Sequence, residues 1–273
     1  MPYIEVEKGV NIFIEDLNPG TGKTVLFLHG WPVNHNMFEY QYTQLPRCDF
    51  RCIGMDLRGF GNSDRPWEGY CYDRLAEDVH IVIESLDIEN LILVGFSMGG
   101  AIAARYMARY SGNKVSKLAL VSAAIPVFTK RPNYPFGLPK EEVNKLIYQT
   151  YTDRPKMVSE FGKTFFASNV SPAFRNWFNG LGFDASGHAT AMTAIALRDE
   201  DLRQDLPKID VPTGIFHGEL DQIVPFPSAL QAHRLIKKSL LFPFNRSGHG
   251  VFYDELEKFN YYFTQFLSDE SIS

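Results

Sequence analysis

The sequence predicts an α/β fold: a mostly parallel eight-stranded sheet with helices on both faces and an inserted helical cap. Three observations predict it. Short apolar runs alternate with helical stretches, as βαβ crossovers require. The earliest runs instead alternate apolar with polar residues, the mark of an antiparallel edge. One long stretch, 128–205, interrupts the rhythm and holds no strand pattern. With 273 residues, 45% of them hydrophobic, the chain can bury a sizeable core.

Taken in order, Tyr3–Glu7 and Asn11–Glu15 read as the edge strands and Thr24–Leu28 as the first buried one. Arg51–Met55, Leu91–Gly95, Leu118–Ser122, Thr213–His217 and Leu240–Phe244 complete the eight. Between Met55 and Leu91 lies Tyr72–Leu86, whose Leu75, Val79, Val82, Ile83 and Leu86 recur at helical spacing and predict an amphipathic crossover helix. Pro132, Pro135, Gly137 and Pro139 punctuate the start of the interruption, which reads as a helical cap inserted between two core segments, 1–127 and 206–273.

Composition excludes several function classes. The net charge is −5 and no basic run exceeds Lys237-Lys238, so nucleic acid is not an expected partner. No apolar run approaches the roughly 20 residues that span a bilayer, and the first residues carry no signal-peptide pattern, so a cytoplasmic protein without a membrane partner is expected. Cys48, Cys52 and Cys71 form no Cys-x-x-Cys pair and read as buried free thiols. The seven histidines include no His-x-x-x-His pair, so neither a metal nor any other cofactor is expected.

The chemistry concentrates in Gly95-Phe96-Ser97-Met98-Gly99-Gly100, set directly after one strand and before the helical run Ala101–Tyr110. A serine on a sharp strand-to-helix turn needs neighbours without side chains two residues away on either side, and Gly95 and Gly99 supply them. The helix beginning there would aim its N–H groups at the reacting centre, making Met98 N–H one oxyanion donor. A serine hydroxyl attacks only when a base takes its proton. His249, in Ser247-Gly248-His249-Gly250 after the last strand, is the expected base. Asp221, in His217-Gly218-Glu219-Leu220-Asp221 after the preceding strand, is the expected acid, with Glu219 its rival. The order Ser97, Asp221, His249 is that of a nucleophile-elbow hydrolase.

The second oxyanion donor should come from His29-Gly30-Trp31-Pro32; Trp31 is chosen because Pro32 has no N–H. Its indole either lines the substrate pocket or simply packs. His29 and His217, each ahead of a glycine, read as loop-fixing. In the glycine-rich Asp56–Asp64 loop no Gly-Lys-Ser or Gly-Lys-Thr follows, so it reads as a structural turn carrying an Arg58–Asp56 interaction.

These motifs together resemble α/β hydrolases over nearly the whole length. The elbow, the stretch Asp221-Gln222-Ile223-Val224-Pro225-Phe226 and the segment Lys130-Arg131-Pro132-Asn133-Tyr134-Pro135 are similar to the arylesterase and cofactor-free haloperoxidase (perhydrolase) branch. The resemblance implies the α/β-hydrolase fold, hydrolysis of small esters and no cofactor, and it agrees with oxyanion donors at Trp31 and Met98. Pro32 after the tryptophan is the kind of residue that peroxide-using members carry, which implies peracid formation as a further activity.

The expected function is therefore a serine carboxylesterase working through an acyl-enzyme on a small-molecule ester. Perhydrolase, lactonase and carbon–carbon bond hydrolase stand as alternatives, as does a ligand-binding receptor on the same scaffold. An aspartate at the elbow would have indicated a dehalogenase or epoxide hydrolase, and Ser97 stands there instead. The segment 161–183 holds seven aromatics, among them Phe161, Phe165 and Trp177. With Trp31 these three are candidate substrate-binding residues; the aromatics either roof the pocket, pack the cap on itself, or serve a homo-oligomer contact.

Overall fold

The computed structural model describes residues 2–20 and 22–269. Met1, Thr21 and the last four residues of the expected 206–273 segment lie outside them. Eight strands form one sheet: β1 (Tyr3–Glu7), β2 (Val10–Leu17), β3 (Lys23–Leu28), β4 (Phe50–Met55), β5 (Leu91–Phe96), β6 (Val115–Val121), β7 (Thr213–Gly218) and β8 (Ser239–Phe244). Their spatial order is β1-β2-β4-β3-β5-β6-β7-β8. β1 pairs antiparallel with β2, and β2 antiparallel with β4; every later pairing is parallel. The alternating pattern at the start thus belongs to the antiparallel edge, and the continuous apolar runs belong to the centre. β5 is buried at every residue, as a strand covered on both faces must be.

Ten α-helices are present among the described residues. They are α1 (Glu39–Tyr42), α2 (Tyr72–Ser85), α3 (Met98–Arg109), α4 (Lys140–Thr152), α5 (Arg154–Lys163), α6 (Pro172–Phe183), α7 (Gly187–Asp199), α8 (Phe226–Leu235), α9 (Val251–Asp254) and α10 (Leu256–Ser268). The crossover helix α2 buries Leu75, Val79, Val82 and Ile83, the residues its periodicity singled out. α10 lays Phe259, Phe263 and Phe266 on Phe216 of β7, with ring centroids 5.4–5.8 Å apart. α4 to α7 all lie between β6 and β7. Asp153, Ser171 and Ser186 cap α5, α6 and α7 by accepting from the N–H of Lys156, Phe174 and Ala189.

Two expectations are corrected here. Arg58 does not pair with Asp56. Its guanidinium reaches α2 and grips Asp78 with two bonds of 2.5 and 2.7 Å, plus Glu7 at 3.1 Å. The long side chain satisfies its fork on a carboxylate 20 residues away, while Asp56 turns into the loop after β3. The thiols are free, but only Cys52 is buried; Cys48 and Cys71 are exposed, because they sit at the end of a short 3₁₀ turn and just before α2 rather than in a strand.

Candidate active site

The elbow is built by the end of β5 and the start of α3. Ser97 adopts φ 51° and ψ −115°, a conformation that L-residues rarely hold. Its surroundings fix it: Ser97 N–H donates to Val121 O at 2.9 Å, and Ser97 O accepts from Ala124 N–H at 2.9 Å and Gly100 N–H at 3.0 Å. A Cβ at position 95 would stand 2.5 Å from Gly99 O, and one at position 99 would stand 2.3 Å from Leu28 O. The two glycines therefore let the turn close against itself and against the end of β3. Met98 opens α3, so its N–H has no acceptor within the helix, and the positive end of the helix dipole sits beside Ser97.

The loops after β7 and β8 bring Asp221 and His249 together. His249 Nδ1 lies 2.8 Å from Asp221 Oδ2, and both side chains are buried. Asp221 Oδ1 accepts the N–H groups of Ile223 and Val224 at 2.8 and 2.9 Å. Burial by itself would raise the Asp221 pKa, but His249 and His217 outweigh it and hold the carboxyl below the usual range. The imidazole of His249 lies 4.9 Å, centroid to centroid, from Phe96, the residue before Ser97. Phe165 covers it from the helical segment, also at 4.9 Å.

The His249 turn has anchors that its sequence did not advertise. Gly250 N–H donates to Phe165 O at 2.8 Å, and Gly248 N–H donates to Asp254 Oδ2 at 2.7 Å. Asp254 also accepts from the N–H groups of Ala167 and Ser168, so one carboxylate joins the histidine turn to the helical segment. The only signal for it was an acid in the first turn after Gly248-His249-Gly250.

The loop after β3 carries Trp31, which is buried. Its indole N–H donates to Thr190 O of α7 at 2.8 Å, and its ring meets Phe161 edge-on at 5.1 Å. His29 fixes this loop: its Nε2 accepts Leu57 N–H at 3.0 Å while Nδ1 faces Gly30 O at 2.8 Å. Burial pushes its pKa down to about 4, consistent with a neutral ring that both donates and accepts.

Of the aromatics singled out from the sequence, Phe161 and Phe165 stand with Trp31, Phe96 and His249. Trp177 does not: its ring neighbours are Phe174 and Phe178, at 5.4 and 6.3 Å. It is half-buried within the helical segment. A void of about 10 Å³ lies among Pro32, Val33, Phe161, Phe165 and Phe178. Phe161 also borders an open cleft of about 750 Å³, where α4 and α5 face Gln222 and Ile223.

The site thus combines a serine on a strained strand-to-helix turn, the N-terminus of the helix that follows it, and a histidine bonded to a buried aspartate. Residues 23–168 match the family described as alpha/beta hydrolase fold, and the chain belongs to that family. It is 55% identical to the AB hydrolase superfamily protein YisY of Bacillus subtilis (strain 168), over 97% of this chain and 98% of that one. It is 34% identical to the bifunctional esterase/perhydrolase DCH of Acinetobacter calcoaceticus, over 95% and 97%. Among solved structures, the esterase EaEST from Exiguobacterium antarcticum superposes with a TM-score of 0.95 at 48% identity, covering 98% of this chain and 99% of that chain. Among the described residues, no helix is long and apolar enough to cross a membrane.

Proposed function

We propose that the protein is a serine carboxylesterase for small esters, with Ser97 as nucleophile, His249 as base and Asp221 orienting the histidine. The observation that carries this reading is the 2.8 Å bond between His249 Nδ1 and Asp221 Oδ2, beside a serine held at φ 51°. Ser97 Oγ attacks the ester carbonyl as its proton passes to His249 Nε2. The oxyanion takes the N–H groups of Met98 and Trp31. His249 then protonates the leaving alkoxide, and the ester linkage now joins the acyl group to Ser97. Water, deprotonated by His249, releases the acid and restores the serine. Asp221 stays ionised throughout, which its depressed pKa favours.

The 10 Å³ void beside Pro32 and Phe165 has room for about one water, next to the ring that covers His249. A second reading has a specific observation behind it. Pro32 borders that same void, and the Acinetobacter calcoaceticus relative is named as both esterase and perhydrolase. Hydrogen peroxide would replace water in attacking the acyl-enzyme, giving a peracid and free Ser97.

The test is hydrolysis of p-nitrophenyl esters from acetate upward by wild type and Ser97→Ala, with a parallel peracid assay on acetate plus peroxide. The expected loss in kcat for Ser97→Ala is about 10⁶-fold, with acetate turned over faster than longer acyl chains. Equal turnover by Ser97→Ala and wild type would remove Ser97 as nucleophile.

A further inference from the structure

His217 lies at the end of β7, four residues before Asp221, and is 1% exposed. Its Nε2 faces Val224 O at 2.8 Å. A backbone carbonyl only accepts, so Nε2 carries the hydrogen. The same nitrogen is 3.3 Å from Asp221 Oδ2, the oxygen that also faces His249 Nδ1. Its other nitrogen, Nδ1, is buried without a partner among the described residues. One N–H therefore ties Val224 back to the strand, closing the loop that carries Asp221, and its nitrogen lies 3.3 Å from the oxygen on which His249 depends.

We propose that His217 is a positioning residue for the hydrolytic reaction: by gripping Val224 O its Nε2–H holds the Asp221 loop in place, and its positive end beside Oδ2 draws charge from the oxygen that faces His249. The proposal rests on the triad reading above. His249 faces Oδ2 and two backbone N–H groups donate to Oδ1, one of them from Val224, whose own carbonyl His217 holds, so the carboxylate cannot rotate without losing a partner. β6 and β8 bring Ser122 and Pro243 to the level of His217, and α8 brings the ring of Phe226. Asp254 of α9 is taken up by Gly248, Ala167 and Ser168, and Glu219 is exposed.

With that donor gone, Asp221 is more basic. It then either stabilises the protonated His249 more strongly or binds a proton itself, and both raise the pH at which activity is lost on the acid side. The variants are His217→Leu, which fills the space without a donor, and His217→Gln, whose Nε2 places an N–H at a similar reach. The readout is kcat and kcat/KM for p-nitrophenyl acetate from pH 5 to 9, with melting curves to establish folding. The acid limb of His217→Leu should move up by about one pH unit and kcat should fall more than KM rises, while His217→Gln keeps the wild-type profile.

An unmoved acid limb in folded His217→Leu, or a His217→Gln that behaves like it, overturns the proposal. If His217→Leu does not fold, His217→Asn, whose N–H falls one bond short, is compared with His217→Gln; identical profiles overturn it equally. Ser97→Ala in the same assay separates the two readings: an active Ser97→Ala defeats the triad, whereas an inactive one beside an unshifted His217→Leu defeats only the role of His217.

Discussion

Two buried aspartates stand at the carboxyl edge of the sheet, and each has a histidine on it. Asp56, just after β4, faces His35 Nδ1 at 2.7 Å; Asp221, just after β7, faces His249 Nδ1 at 2.8 Å. By distance and burial the pairs are near twins. They differ at the second ring nitrogen. His35 Nε2 is taken by Glu15 at 3.0 Å, so both its nitrogens point at carboxylates. Burial pulls the His35 pKa down, but Asp56 and Glu15 together hold it above the usual value. His249 has its carboxylate on one nitrogen, and aromatic rings, Phe96 and Phe165, around the remainder of the ring. An Asp–His pair with both nitrogens engaged is thus a fastening, whereas one with a nitrogen left over suits the base proposed for His249. Asp56 also accepts His35 N–H at 2.9 Å and Asn62 N–H at 2.8 Å, so its fastening holds the loop that carries Trp31.

The largest contrast should come from removing one charge at each site. Asp221→Asn should lower kcat for p-nitrophenyl acetate by about 10⁴-fold, because the amide no longer holds the imidazole in the tautomer that the proposed mechanism requires. Asp56→Asn should instead lower stability by about 3–5 kcal/mol in urea unfolding, leaving His35 buried with one carboxylate, while the folded fraction stays active. If Asp56→Asn proves as inactive per folded molecule as Asp221→Asn, the distinction between the pairs collapses.

A smaller effect follows from the opposite directions of the two shifts. The His35 pKa is raised, so its contribution is complete below the unfolded value of about 6.5 and fades as pH climbs through the folded value. Burial raises the Asp56 pKa, yet His35 outweighs this and lowers it, so the Asp56 contribution is complete above about 3.9 and fades as pH falls. The pair should stabilise most between those two pH values. The stability lost in His35→Gln, measured by urea unfolding across pH 4 to 9, should be greatest there and shrink toward alkaline pH. A flat difference would mean that His35 is not held as a cation.

The smallest change leaves both aspartates intact. Trp31→Phe removes the indole N–H that reaches Thr190 O, at a cost of about 1 kcal/mol. A correspondingly modest drop in melting temperature, with the Met98 and Trp31 N–H groups still in place, would show that Asp56 positions the loop largely unaided. A collapse of activity would show that the tie to α7 is also required.

What the sequence determined by itself was whatever is written in short-range patterns. Runs such as Leu91–Gly95 specify buried strands through their apolar continuity, and the spacing from Leu75 to Leu86 specifies a helix through its period. Gly95 and Gly99 announce the elbow because a Cβ at either position would collide with backbone. The chain order of Ser97, Asp221 and His249 follows from the same local signals, since each residue sits in a turn just past a strand. Only the tertiary structure decided which partner each long or buried side chain finds. Arg58 chose Asp78 over Asp56, Trp177 fell among Phe174 and Phe178 while Phe165 came to lie over His249, and Glu15 closed off His35. The physical reason is reach. A backbone turn is settled by residues two or three positions away, whereas the second nitrogen of a buried imidazole is satisfied by whichever strand the sheet happens to place beside it.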